Sequence, residues 1–559
     1  MPALPIRFAS GNVREAQGEA AMGEAFIGVD VGTGSARAGV FDQDGRLLAS
    51  ARKPIAIWRD AGEIVEHSSQ DIWRAATGAV REAVKSAGLK AADVKGVSFD
   101  ATCSLVVLDR AGAPLPVGPS GDPNRDVIVW MDHRAIGEAD FINKGGHGAL
   151  RYVGGKISPE MQAPKLLWLA RNRPDTFAQA GHFFDLTDFL TWRASAATAR
   201  SVCTVTCKWT YLAHERRWSR EFFDSVGLSA LCGDSFARIG AEMVEPGAPL
   251  GAGLTPEAAA AMGLSPGIPV GAGLIDAHAG ALGTLAASRG GGKADPRRRL
   301  ALILGTSACC MAVADEARFV DGVWGPYFSA LTPGQWLAEG GQSAFGAAID
   351  RLIEAHPAFA EIKSRAGDRA FEEMENEILA RAGSLSRAAL LANDLHVLPD
   401  FIGNRSPFAD PAARGAMIGL DLHVDHQSLL ELYVAALVGL AHGVGQIIGT
   451  LEAGGYDFDM LVVSGGAGRS KLVRQLIADA TQKKVGAPET SEPVLLGAAM
   501  LAAVAAGRHT VASAMSAMSR LAEEIAPQGG EIAAFHARKG QAFRLTQDTE
   551  RQVRAIMSA

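Results

Sequence analysis

The chain is poor in cysteine. Its six thiols, Cys103, Cys203, Cys207, Cys232, Cys309 and Cys310, are spread over 559 residues and include no CxxC pair. That excludes a disulfide scaffold and fits a reduced, cytoplasmic protein. Cys203 and Cys207 can share a helix face, but no matching His/Cys pair follows them, so they read as buried thiols rather than a zinc site. No apolar run reaches the length of a membrane span, so no membrane partner is expected. Charge of one sign is also lacking. Lysine plus arginine is 54 against 61 aspartate plus glutamate, a net charge of −7. This lacks the basic footprint of a nucleic-acid binder. With 48% hydrophobic and 21% charged residues, the composition excludes disorder throughout the chain and collagen. No GxxxxGK[ST] occurs, which excludes a P-loop, and Gly32 to Arg37 stops short of GxGxxG.

What is present is glycine, 64 residues of it, set at the ends of apolar runs. Residues 1–24 mix Pro, Gly, Glu and Arg without an apolar core, and are expected to be a disordered leader rather than a secretory signal. Phe26 to Val31 then reads as a buried strand, Gly32-Thr33-Gly34-Ser35 as a tight turn, and Ala36 to Phe41 as a second strand. Asp42-Gln43-Asp44-Gly45 makes a hairpin turn into a third strand, Arg46 to Lys53. An amphipathic helix over Gln70 to Ala87 and a strand over Val94 to Phe99 follow.

The pattern restarts near the middle. After the breaker Gly290 to Pro296 and the run Arg297-Arg298-Arg299, expected to be a solvated loop tip, Leu300 to Leu304 is a strand. Gly305-Thr306-Ser307 is a turn and Ala308 to Val313 a second strand. Strand, Gly-Thr turn, strand thus occurs twice, half a chain apart, as two related domains would have it. Further on, Leu429 to Leu451 repeats at helical spacing. Met460 to Val463 is a short strand ending at Ser464-Gly465-Gly466-Ala467-Gly468, and a helix runs from Ser470 to Ala480. The alanine-rich stretch Pro493 to Ala506 reads as an internal helix, and the residues after Gly507 as a helical appendage. The expected division is 1–24 leader, 25–284 N-terminal domain, 285–299 flexible loop, 300–507 C-terminal domain and 508–559 helical tail.

The turns carry the first chemistry. Gly32 and Gly34 let backbone N–H groups approach a ligand, and consecutive N–H groups in such a turn can cradle phosphate oxygens. Thr33, Ser35 and Arg37 can add contacts, and Asp30 could hold a hydrated Mg²⁺. Alone, the motif serves equally as an ordinary hairpin. The second turn at Gly305, Thr306 and Ser307 shifts the balance, because two such hairpins can face each other across a cleft and grip one nucleotide. Gly465, Gly466 and Ala467, at a strand-to-helix junction, supply a third element where a nucleotide can rest on a helix N-terminus.

With these elements in place the chain resembles the FGGY carbohydrate kinases, a branch of the actin-like and hexokinase-like ATPases, from about Phe26 to Gly507. Its nearest likeness is to the pentulose kinases that act on D-ribulose. The stretches that carry this are Phe99-Asp100-Ala101-Thr102-Cys103-Ser104-Leu105-Val106, Trp130-Met131-Asp132-His133-Arg134-Ala135, Gln162 to Leu169, Ile275-Asp276-Ala277-His278-Ala279-Gly280, Gly325 to Ser329 and Gly403-Asn404-Arg405-Ser406-Pro407.

The resemblance implies an α/β fold of two related ribonuclease H-like domains flanking a central cleft. The N-terminal domain would take the sugar and the C-terminal domain the nucleotide. It implies ATP and Mg²⁺ as cofactors, Asp276 as catalytic base and, with Asp30, as metal group. Gly32, Thr33, Gly34, Ser35, Arg37, Gly305, Thr306, Ser307, Gly465, Gly466, Ala467 and Arg469 would contact ATP. Thr102, Cys103, Ser104, Asp132, His133, Lys208 and Glu339 would join Asp276 at the sugar. Plain alternatives stand beside these roles: Asp276 as a helix cap, Lys208 as a surface lysine, Glu339 as a loop glutamate. Cys103 is expected to shape the pocket rather than act as a nucleophile, and His278 to be structural.

The implied reaction is D-ribulose to D-ribulose 5-phosphate. The alternatives are a kinase for L-ribulose, ribitol or xylulose, an actin-like or chaperone-like ATPase, and a sugar-binding regulator that has lost catalysis. A homodimer is the default expectation.

Overall fold

The computed structural model describes residues 23–290 and 292–558. The expected leader lies outside these residues except for Gly23 and Glu24, and Glu24 pairs with Arg508 at 2.5 Å.

Two sheets of matching topology organise the chain. The first contains β1 (Ala25–Val31), β2 (Ser35–Asp42), β3 (Leu47–Pro54), β4 (Val94–Ala101) and β5 (Val270–Ile275), in the order β5-β4-β1-β2-β3. β1 is antiparallel to β2 and parallel to β4. The second contains β6 (Arg299–Leu304), β7 (Ala308–Ala314), β8 (Trp324–Phe328), β9 (Trp336–Gln342), β10 (Met460–Ser464), β11 (Lys484–Pro488) and β12 (Leu521–Ile525). Its order is β8-β9-β7-β6-β10-β11-β12. Stripped of its two edge strands and read from the other end, this is β11-β10-β6-β7-β9, the order of the first sheet. The strand directions agree too: β6 is antiparallel to β7 and parallel to β10. The repeat expected from the two Gly-Thr turns is therefore a repeat of topology. A smaller five-stranded sheet, Trp58–Asp60, Ile64–His67, Val127–Ile128, Leu105–Asp109 and Ala180–Asp185, extends the first lobe.

The central strands are buried on both faces, as parallel strands covered by helices must be; all seven residues of β1 are buried. One cover is α1 (Ser69–Ser86), which Ser68 caps by accepting from Asp71 N–H. Its Ile72, Ala76, Ala79, Val80 and Ala83 are all fully buried. Further helices are α2 (Val202–Trp209), α3 (Asp276–Leu282), α4 (Gly346–Glu354), α5 (His426–Ala453), α6 (Lys471–Thr481), α7 (Pro493–Ala505) and α8 (Gly530–Met557).

Helix α7 comes from the second half of the sequence yet lies on the first sheet. A Cβ at Gly28 of β1 would meet Leu495 O at 2.0 Å, and one at Gly96 of β4 would meet Ala502 O at 2.3 Å. The same helix touches α3, where Gly497 would meet Ala279 O at 2.0 Å. Glycine thus sets the closeness of this crossing from both sides. The internal helix expected at Pro493 to Ala506 thus carries the second half of the sequence onto the first lobe.

Three expectations need correction. The segment 508–559 is not a helical appendage: β12 pairs antiparallel with β11, and α8 buries Phe535, His536 and Lys539. The connection 285–299 begins inside the core, since Leu285, Ala286 and Ala287 are no more than 2% exposed. Within the basic run Arg297 and Arg298 are held by aspartates, Asp295 with Asp315 and Asp457 with Asp459, and Arg299 opens β6. Finally, α5 is long and apolar enough to cross a membrane, but most of it is buried inside the protein. It is the core helix of the second lobe.

Candidate functional site

The site grows from the ends of adjacent strands. In the parallel pair β1 and β4, Asp30 stands opposite Asp100, one residue before the strands end. On the far side of β4, Ile275 of β5 stands opposite Ala101, so the next residue, Asp276, opens α3 beside them. In-register parallel neighbours point the same way. Three carboxyls therefore gather at one sheet edge, two of them deeply buried: Asp30 is 2% and Asp100 0% exposed. Burial and the nearby Asp30 push the Asp100 carboxyl well above the usual range, and neither of its oxygens has a hydrogen-bond partner among the described residues. Burial, then Asp30, raises Asp276 to about 6, against a donation from Ala277 N–H at 2.7 Å. Lys208 and Glu339 are also within electrostatic reach of Asp276.

Arg37 balances this cluster. Its Nε donates to Asp30 at 2.8 Å, and its Nη1 to Glu492, just before α7, at 2.7 Å. Arg37, expected at ATP, spends part of its guanidinium on these two carboxylates and remains one-third exposed. The orphaned Asp100 oxygens beside Asp30 and Asp276 suit a hard divalent cation, which takes oxygen ligands and would relieve the repulsion. Sequence reasoning chose Asp30 and Asp276 for the metal and passed over Asp100, whose signal was its place at the end of a buried strand.

The two Gly-Thr turns differ from the rest of the strand framework in being open. Gly32 N–H closes the first by donating to Ser35 O at 3.0 Å, and Gly305 N–H closes the second by donating to Ser307 O at 2.9 Å. A Cβ at Gly34 would meet nothing within 4 Å. Thr33 Oγ1 accepts from Trp130 Nε1 at 2.9 Å and Ser35 Oγ from Arg52 Nε at 2.9 Å. The start of α4 braces the second turn, with Phe345 N–H donating to Thr306 O at 2.8 Å and Gly346 N–H to Gly305 O at 3.1 Å. Gly465, at φ +88°, lies on the strand that ends at this turn, where a Cβ would sit 2.5 Å from Leu304 O. The second and third glycine elements are therefore one contiguous surface. Gly466 and Ala467 are half-buried beside it, and Arg469 is exposed.

On the other side of Asp276, α2 presents Lys208 to Glu339 of β9. Lys208 Nζ is 3.9 Å from Glu339 Oε2, and each side chain is 6% exposed. Burial opposes the Lys208 charge, yet Glu339 holds its pKa well above the usual lysine value. Neither residue is on the surface or in a free loop, so the plain alternatives for both are overturned. Trp324 underlies this corner, with Lys208 Nζ 5.3 Å and the Arg405 guanidinium 5.1 Å from its ring centre. Glu160 completes it: its carboxylate is 3.9 Å from His133 Nε2 and 4.0 Å from Arg405 Nη2. Although burial opposes ionisation, His133 and Arg405 bring Glu160 down to about 2. Glu160 and Arg405 were not among the expected sugar groups. Arg405 sits in a quoted motif, whereas Glu160 precedes a helix with no pattern to mark it.

Other expected sugar contacts turn out to be braces. Asp132 is fully buried and accepts from Val65 N–H at 2.6 Å and from Arg134 at 2.7 Å. Its carboxylate is already satisfied, which corrects its assignment to the sugar. Ser104 is fully buried, accepts from Trp130 N–H at 3.1 Å, and lies 3.1 Å from the Thr102 hydroxyl. It too positions rather than binds. Cys103 is buried and its thiol is pushed up to about 12 by burial, leaving no thiolate for attack. His278 is fully buried and lowered by burial to about 4.

Residues 25–283 match the N-terminal domain of the FGGY family of carbohydrate kinases, and residues 300–506 match its C-terminal domain. A human FGGY carbohydrate kinase domain-containing protein is 44% identical over 545 residues, covering 95% of this chain and 98% of the relative. A D-ribulokinase of Saccharomyces cerevisiae is 38% identical over 511 residues, covering 86% of this chain and 72% of the relative. Among solved structures, xylulose kinase from Rhodospirillum rubrum superposes with a TM-score of 0.77 at 21% identity, covering 95% of this chain and 99% of that one.

Proposed function

From the premise that the chain belongs to the FGGY family of carbohydrate kinases, we propose that it phosphorylates a pentulose, D-ribulose to D-ribulose 5-phosphate, with ATP as donor. The observation that supports this is that Asp276 opens α3 beside the strand-end pair Asp30 and Asp100, within electrostatic reach of the buried Lys208–Glu339 pair. Likeness to a D-ribulokinase over most of the chain supports the choice of sugar. The pair offers a donor and an acceptor to adjacent hydroxyls, and an open-chain ketose has such hydroxyls in a row.

The carboxylate of Asp276 takes the proton of the sugar's terminal hydroxyl. The freed oxygen attacks the γ-phosphorus while the bond to the β–γ bridging oxygen breaks and ADP leaves. Phosphate oxygens rest on the backbone N–H groups of the Gly32–Ser35 and Gly305–Ser307 turns, with the adenosine end near Gly465 to Arg469. Asp30, Asp100 and Asp276 would hold Mg²⁺, which when bound neutralises phosphate charge. Two lobes closing on the sugar exclude water, the competing acceptor.

The test is ADP release at fixed ATP across D-ribulose, L-ribulose, D-xylulose and ribitol. D-Ribulose is expected to give the highest kcat/KM. Equal or better turnover of ribitol or xylulose overturns the choice of sugar, and ATPase activity indifferent to every sugar overturns the kinase role.

A further inference from the structure

Behind the sugar corner lies a cluster that phosphoryl transfer does not use. Cys203 and Cys207 stand one turn apart on α2, and His278 faces them from α3. All three are 0% exposed, and one ligand atom from each lies within 4.8 Å of the others. The Cys207 Sγ to His278 Nε2 distance is 3.5 Å. That is the separation two ligands take on a shared tetrahedral zinc, with Zn–S about 2.3 Å and Zn–N about 2.0 Å. A side-chain adjustment at Cys203 of about 1 Å completes the third edge. The histidine that pairs with the two cysteines is absent from the local sequence pattern because it arrives from 71 residues away.

We propose that Cys203, Cys207 and His278 form a binding site for zinc or a similarly soft divalent cation. The ligand types select it: two thiolates and a neutral imidazole suit a soft or borderline metal and not Mg²⁺. Charge selects it as well. Two thiolates, one neutral imidazole and one divalent cation sum to zero, which a fully buried site tolerates. Beside it is Glu339, whose Oε2 is 3.9 Å from His278 Nε2 and has no hydrogen-bond partner among the described residues. Glu339 belongs to the second lobe, so separation of the lobes gives the cation its entry. Once bound, the metal ties α2, which carries Lys208, to α3, which carries Asp276.

The test uses the full-length protein unfolded and refolded with Co²⁺ in place of zinc. Expected are about one metal ion per chain after desalting, tetrahedral d–d absorption bands and a sulfur-to-cobalt charge-transfer band. Cys203→Ser and Cys207→Ser are each expected to lose the charge-transfer intensity and at least tenfold in zinc affinity, with a native circular dichroism spectrum confirming that they fold. Refolded native protein holding less than about a tenth of an equivalent of metal, with no tetrahedral cobalt bands, overturns the proposal. So does equal metal binding by both serine variants. Neither readout depends on which sugar is phosphorylated.

Discussion

Lys208 and Glu339 form a buried ion pair between the two lobes, the lysine on α2 of the first and the glutamate on β9 of the second, 3.9 Å apart. That separation is longer than a direct hydrogen bond, so both groups keep hydrogen-bonding capacity for a hydroxyl. The pair also sets a cost, because each charge is tolerated in the interior only while the other is present.

Removing one member should therefore hurt more than removing both. Lys208→Met is expected to lower stability by about 3–5 kcal/mol, because Glu339 is left charged and buried. The double variant Lys208→Met/Glu339→Gln should recover most of that loss in urea denaturation, yet keep a sugar KM at least tenfold above the native value. Recovery of both stability and KM would make the pair structural only.

Asp276 carries opposite consequences for activity and stability. Burial, then Asp30, raises its carboxyl to about 6, and the base must be ionised, so kcat/KM should rise tenfold per pH unit up to that value and then level off. Because the folded value is raised above the unfolded one, this carboxyl's contribution to stability is fully present below pH 3.8. It is lost as pH rises from the unfolded value of 3.8 through about 6. Asp276→Asn removes that penalty. It is expected to melt at or above the native temperature at pH 7 while losing about 10²–10⁴-fold in kcat and still binding ATP. A variant that is inactive because it has unfolded would fail the first of these measurements.

Much of this was legible beforehand because strand ends announce themselves. Asp30-Val31-Gly32-Thr33 and Leu304-Gly305-Thr306 are apolar runs broken by glycine, and both turns lie where those patterns end. What stayed hidden depends on partners far apart in the chain. Asp132 is as polar as Asp276, and only the structure reveals that Arg134 and Val65 N–H already satisfy it. Arg37 reads as a phosphate ligand until Glu492, 455 positions later, arrives to share it. The pairing of β12 with β11 was masked because Leu521–Ile525 is short and alternates with exposed residues, as an edge strand does.

Glu160 tests whether the charged corner around Trp324 serves the substrate or only the fold. With His133 and Arg405 both facing it, Glu160→Gln should loosen the hold on the Arg405 guanidinium that already lies 5.1 Å from the Trp324 ring centre. The expected result is a rise of at least fivefold in sugar KM with ATP KM unchanged. Tm should fall by only a few degrees, since Gln keeps the volume and the pairs span about 4 Å. Parallel changes in both KM values would point instead to altered lobe closure.

Two glycines of the first strand and its turn make the last contrast, because packing requires one and ligand access the other. At Gly28 an added methyl would lie 2.0 Å from Leu495 O and 2.8 Å from Ala499 N. Backbone cannot yield as a side chain end can, so α7 must move off the sheet. Gly28→Ala is expected to cost about 1–3 kcal/mol or more in chemical denaturation, and with α7 displaced the Arg37–Glu492 bond should weaken. At Gly34 the same methyl meets nothing within 4 Å and the φ is not positive, so Gly34→Ala should change stability by less than about 0.5 kcal/mol. If phosphate approaches the turn backbone there, that methyl stands in its way, and ATP KM should rise several-fold with sugar KM unchanged. A Gly34→Ala enzyme with native ATP KM would remove the first turn from the nucleotide site, while a stable Gly28→Ala protein would show that the helix crossing is looser than its distances say.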